Sequence, residues 1–136
     1  MKEALSELIL REIETLKNLL MLLEKQHELY LEKNIFGLED IVKKIENANI
    51  EVAKIEVERR KLEGDKSIKI LVKEIDDDSL SKNFDDMIQL VHNVKSQNSI
   101  NQFLIKQGLL FANKMLNLFG RNKNVKTYNA YGKVSK

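Results

Sequence analysis

The sequence predicts an all-α fold: an antiparallel bundle of three long helices, made of a long helical hairpin plus a third helix, with one short connecting helix and a flexible C-terminal tail. Three observations carry this expectation. Proline is absent and glycine occurs five times in 136 residues, so little interrupts a helix. Leu, Ile, Lys and Glu dominate, and most of these favour helix. Apolar residues recur at spacings of three and four over long stretches, the pattern of a helix with one buried stripe.

The first helix is expected near residues 3–33. Leu5, Ile9, Ile13, Leu16, Leu20, Leu23, His27 and Tyr30 lie on one stripe, and Leu8, Leu19, Leu22 and Leu29 form a second row beside it. A dimer seam needs only the first row, so the second implies contact with more than one neighbouring helix. The chain is expected to turn at Lys33–Leu38, where Asn34 can cap a new helix and Gly37 weakens one running through.

A second helix near 35–63 follows from Leu38, Ile41, Ile45, Ala48, Val52, Ile55, Arg59 and Leu62, with Gly64 and Asp65 ending it and Asp65 capping what comes next. A short connection makes these two helices antiparallel. Ile68, Leu71, Val72 and Ile75 indicate a short helix, since a strand there would have no partner. Asp76, Asp77 and Asp78 then read as a polar link.

The third long helix, expected over 81–119 from a start at Ser79 or Ser81, has the most regular seam. It runs through Phe84, Met87, Val91, Val94, Asn98, Asn101, Ile105, Gly108, Ala112, Met115 and Phe119. Asn98 and Asn101 follow one another in it, either as a register-setting pair or as the place where the bundle is narrow and wet. From Ile100 onward apolar residues also occupy other faces, through Phe103, Leu104, Leu110, Phe111 and Leu118. Faces beyond the first need a second cover, supplied by a partner, by self-association or by the bundle itself. Gly120 is expected to stop the helix, giving a bundle domain over 1–120 and a basic tail over 121–136. The tail has no acidic side chain and contains Tyr128 and Tyr131, aromatics suited to anchoring a segment that orders on binding.

Composition narrows the function classes. The chain has no cysteine, hence no disulfide, thiolate nucleophile or zinc-thiolate cluster. A formal net charge of +2 is too small for the whole-molecule field to imply a polyanionic partner. No apolar run approaches the roughly 18 residues of a membrane span, which with the lack of cysteine points to a cytoplasmic protein without membrane insertion. His27 and His92 are read as packing or surface residues, and Glu12 with Glu14, like Asp85 with Asp86, as helix-surface charge. Without a phosphate loop, a serine elbow or a metal-ligand pair, the expectation is no enzyme, no cofactor and no metal.

The order of several elements resembles the FlgN family of flagellar type III export chaperones. A leucine-rich first helix runs into a glutamate and leucine segment, Leu19 to Glu24 and on through Glu28 and Leu31; Asn34 stands at the cap; Glu56-Val57-Glu58-Arg59 closes the second helix. Asn98-Ser99-Ile100-Asn101 leads into Gln102-Phe103-Leu104, and the tail carries Tyr128 and Gly132 in a Tyr-x-x-x-Gly pattern. Gly108 departs from the family pattern, which places a larger side chain there. The resemblance covers nearly the whole chain. It implies a cytoplasmic chaperone that binds the terminal helical segment of hook-filament junction proteins and delivers them to the export gate and its ATPase complex, as a monomer or a homodimer. It further implies Phe103, Leu104, Phe111, Leu116 and Leu118 as substrate-binding contacts, and Tyr128 with Gly132 as the gate-docking motif. Two other classes fit the residues alone: a structural coiled-coil oligomer, and a nucleic-acid-binding module using the basic tail with stacking tyrosines.

Overall fold

A computed structural model of the chain describes residues 1–123, 127–128 and 134–135. Four helices account for nearly all of it: α1 (Lys2–Leu31), α2 (Ile35–Glu63), α3 (Ile68–Ile75) and α4 (Asp78–Lys123). Thr127–Tyr128 and Val134–Ser135 form a minimal antiparallel pairing. The expected flexible tail otherwise lies outside the described residues. The chain divides into two compact units, Met1–Asn101 and Gln102–Lys136.

Within the first unit, α1 and α2 are each about 44 Å long at 1.5 Å per residue and form an antiparallel hairpin. Their residues meet with opposite polarity, Arg11 on Glu58 and Glu12 on Arg59 at one end, Leu29 against Gly37 at the other. The turn is built as the sequence suggests. Asn34 Oδ1 accepts the Gly37 amide at 2.9 Å, and Lys33 takes φ 58°. Gly37 sits inside the first turn of α2 because of the hairpin itself: a Cβ there would stand 2.7 Å from Leu29 Cδ2, closer than two carbons pack.

Gly64 ends α2 with φ 62°, a conformation that side-chain-bearing residues seldom adopt. Ser67, not Asp65, caps α3, its side chain accepting the Ile70 amide. The three aspartates divide their work. Asp76 closes α3 in the left-handed region at φ 54°, and Asp77 starts α4, Oδ2 accepting the Leu80 amide at 2.9 Å and Oδ1 meeting Lys2 Nζ at 3.0 Å. That amide and then Lys2 hold the Asp77 carboxyl below its ordinary pKa. The third long helix therefore begins at Asp78, ahead of the expected serines, and it passes through Gly120 to Lys123. A single glycine costs a helix only about 1 kcal/mol, too little to end a long one.

The core joins α1, α3 and the first part of α4 through Leu5, Ile9, Leu16, Ile68, Leu71, Val72, Leu80 and Met87, with Val52 and Leu62 of α2 against it. A second cluster, Leu19, Leu23 and Ala48, continues along the hairpin. Both apolar rows of α1 are thus used. Lys2–Asp77 near one end of α1 and Asn101–Leu23 further along show that α4 runs in the same direction as α1.

One carboxylate read as surface charge is buried. Glu12 is 6% exposed and accepts from Arg59 Nε, while Arg59 Nη1 donates to Glu63 and Glu56 approaches Nη2. Arg59 occupies the seam position that the periodicity gave it, because its aliphatic stem packs while its fork meets carboxylates from both helices. Burial pushes the Glu12 pKa up, against the pull of Arg59, which Glu12 shares with Glu56 and Glu63. Arg59, whose own burial opposes its charge, is held above its ordinary value by Glu12 and Glu63.

A carboxylate whose folded pKa is raised contributes stability that is complete below its unfolded value and is lost as pH rises through the folded value. Arg59→Met leaves Glu12 buried without its cation, so it should cost about 3 kcal/mol or more at pH 7. The loss relative to the parent should shrink at a second, acid pH, where Glu12 takes up a proton. Urea unfolding of both proteins at the two pH values checks this, and equal losses would place Glu12 in water.

Candidate functional site

The last buried position of the first unit is Asn101, 3% exposed. Its amide is fully used. Nδ2 donates to the Leu23 carbonyl at 2.7 Å and to Gln26 Oε1 at 2.9 Å, and Oδ1 accepts from Gln97 Nε2 at 3.0 Å. Gln97 Nε2 also lies 3.0 Å from His27 Nδ1, so His27 is a partner in a polar cluster and not only a packing residue. A buried amide left without partners costs about 1–3 kcal/mol, so this cluster fixes where α4 sits along α1. Of the two seam asparagines, Asn101 makes this contact and Asn98 is exposed.

Beyond Asn101 the character of α4 changes. Successive residues turn by a little over a quarter of a circle, which places Phe103, Leu104, Leu110, Phe111 and Leu118 on one broad stripe and Ile105, Leu109 and Leu116 on the opposite side. Gln107 and Lys114 stand inside the first stripe, and the polar arc left between the two rows is narrow, consisting of Gln102, Lys106, Asn113 and Asn117. A helix apolar on nearly every side is normally found inside a larger core. Here the side chains are in water: Phe103 is 61% exposed, Leu109 63% and Phe111 66%, while Leu110, Leu116 and Leu118 are about half exposed. Leu104, Ile105 and Met115 are partly covered.

Four of the five residues singled out for binding, Phe103, Leu104, Phe111 and Leu118, therefore share one stripe, and Leu116 stands on the opposite row. Leu109, which follows Gly108 of the regular seam and lies outside the first stripe, was not singled out. Its signal lay in the sequence all the same, since Leu109 and Leu116 stand seven residues apart, two turns along one face. For the expected docking motif, the Tyr128 backbone is paired in the short strand and Gly132 lies outside the described residues.

Elsewhere the surface offers shallow features, such as the open depression between Arg11, Glu58 and Leu62. Among the described residues no group of three His, Cys, Asp or Glu is arranged to hold a metal ion, and no helix is long and apolar enough to cross a membrane.

Comparison with known proteins bears on the whole chain. Searches of curated proteins and of solved structures found no match. The profile of the FlgN protein family matches residues 1–136, so the distribution of helices, the buried Asn101 and the exposed apolar end of α4 are read in one context: the chain belongs to the FlgN family of flagellar export chaperones.

Proposed function

We propose that this chain is a cytoplasmic, non-catalytic export chaperone whose α4 residues beyond Asn101 hold the terminal helical segment of hook-filament junction proteins, and whose tail brings the complex to the export gate and its ATPase complex. In this reading the three long helices act as a bundle that presents the docking segment. The observation that supports it is the exposure of large apolar side chains on nearly all faces of one helical segment. Helix-in-groove recognition uses anchors of this kind, spaced one and two turns apart. Phe103, Leu104, Phe111 and Leu118 supply the anchor stripe, and Leu116 contributes from the opposite row.

Two copies of the chain can also cover such faces by pairing through them. Light scattering of the free protein separates a homodimer of this kind from a monomer that waits for its client.

Replacing Leu104 and Phe111 together with serine should abolish binding of a junction protein's terminal helix in a calorimetric titration, with the thermal midpoint nearly unchanged. Retained affinity together with a loss of several kcal/mol in stability would show that these side chains belong to a core.

For the tail, Tyr128→Ala should leave client binding and the thermal midpoint intact and weaken capture by purified export gate by more than about 1 kcal/mol, as is common for an aromatic anchor. Lys126 and Lys133 beside it should make that capture weaken with salt. Loss of client and gate binding together would mean that the two sites are one.

A further inference from the structure

The charge of this chain is segregated along it. All 21 acidic residues lie at or before Asp86, and the fifty residues that follow carry eight lysines and arginines with no carboxylate side chain. The small net charge of +2 hides this, because an acidic stretch and a basic stretch cancel in the sum. The exposed apolar segment of α4 thus lies in a stretch of sequence whose charged side chains are all basic. Two cations fall within residues 102–120: Lys106 in the narrow polar arc, and Lys114 within the apolar stripe itself, between Leu110 and Phe111 on one side and Leu118 on the other. Both are exposed.

We infer that the partner segment docked on this helix is an acidic amphipathic helix, with an apolar stripe for Phe103, Leu110, Phe111 and Leu118 and carboxylates placed to meet Lys106 and Lys114. This rests on the reading of the segment as a docking element. A lysine in the middle of an apolar stripe is costly to cover unless the cover brings a carboxylate, so Lys114 selects against neutral and basic helices. An anionic lipid surface shares the charge but not the shape. A helix lying on lipid keeps one polar face toward water, whereas this one is apolar on opposite sides and carries Lys114 where the acyl chains would be.

The test uses the full chain and two synthetic helical peptides of about five turns with the same leucine stripe, one flanked by glutamates and one by lysines, beside vesicles of phosphatidylglycerol and phosphatidylcholine. The glutamate peptide should bind at least about tenfold more tightly than the lysine peptide, and raised salt should narrow the gap. Lys106→Glu with Lys114→Glu should reverse the preference, and the corresponding double change to glutamine should abolish it, both with unchanged helical content. Equal binding of the two peptides would overturn the acidic assignment and leave the docking helix standing. Binding of neither would overturn the docking helix and the assignment with it. Tighter binding to anionic vesicles than to the glutamate peptide, lost in the glutamate double variant, would make the occupant a lipid surface and overturn the proposal.

Discussion

The hydrogen bonds of Asn101 are the constraint on which the rest of the structure depends. An amide cannot be buried at 3% exposure without partners, and this one has them at a single axial position, where Leu23 and Gln26 of α1 come within reach. Apolar contacts would tolerate α4 sliding along α1, since leucine stripes repeat. A polar cluster that includes Gln97 and His27 does not repeat, so it sets the register of α4. It also marks the end of one kind of surface. Before Asn101, α4 has one apolar stripe and uses it in the core; after Asn101, it has apolar side chains on nearly every side, most of them in water.

The hairpin beneath is held by a similar non-repeating contact. Apolar side chains line the seam between α1 and α2, mostly leucines on α1 and Ile41, Ala48 and Ile55 on α2, and the Arg59 cluster with Glu12 and Glu63 interrupts it near one end while the Leu29–Gly37 approach fixes the other. A buried ion pair adds little net stability compared with a well-packed apolar pair. Its effect is on geometry: two long helices with similar apolar rows have several nearly equal alignments, and only one satisfies Arg59.

The long helices were legible because their signals are redundant: both rows of α1, the Asn34 cap and the Gly64 stop all survive in the structure. Boundaries depended on weaker evidence. Asp77 and Ser67 are caps, but neighbouring Asp and Ser residues compete for the same role in the sequence, and only the backbone path decides. Gly120 looked like a stop because glycine often follows helices, yet the helix continues through it to Lys123. Glu12 was hidden for a different reason. A glutamate on the edge of an apolar stripe reads as surface until its partner is known, and Arg59 lies 47 residues away. At the candidate site, the sequence showed surplus apolar residues but not which faces are in water. That depends on where along α4 burial ends, and Asn101 is buried while Asn98 is exposed.

Membership of the FlgN family and the exposed end of α4 point the same way. A chaperone for a helical segment needs apolar surface that its own fold leaves uncovered. Local stability follows from burial, so amides in poorly covered helix exchange with solvent sooner than those in a core. Amide hydrogen exchange on the full chain, with and without a client's terminal helix, tests this division most directly. The account expects protection of α4 up to Asn101 in the free protein, fast exchange over residues 102–120, and protection of those residues once the client is added. Equal protection on both sides of Asn101 in the free chain, unchanged by the client, would contradict it.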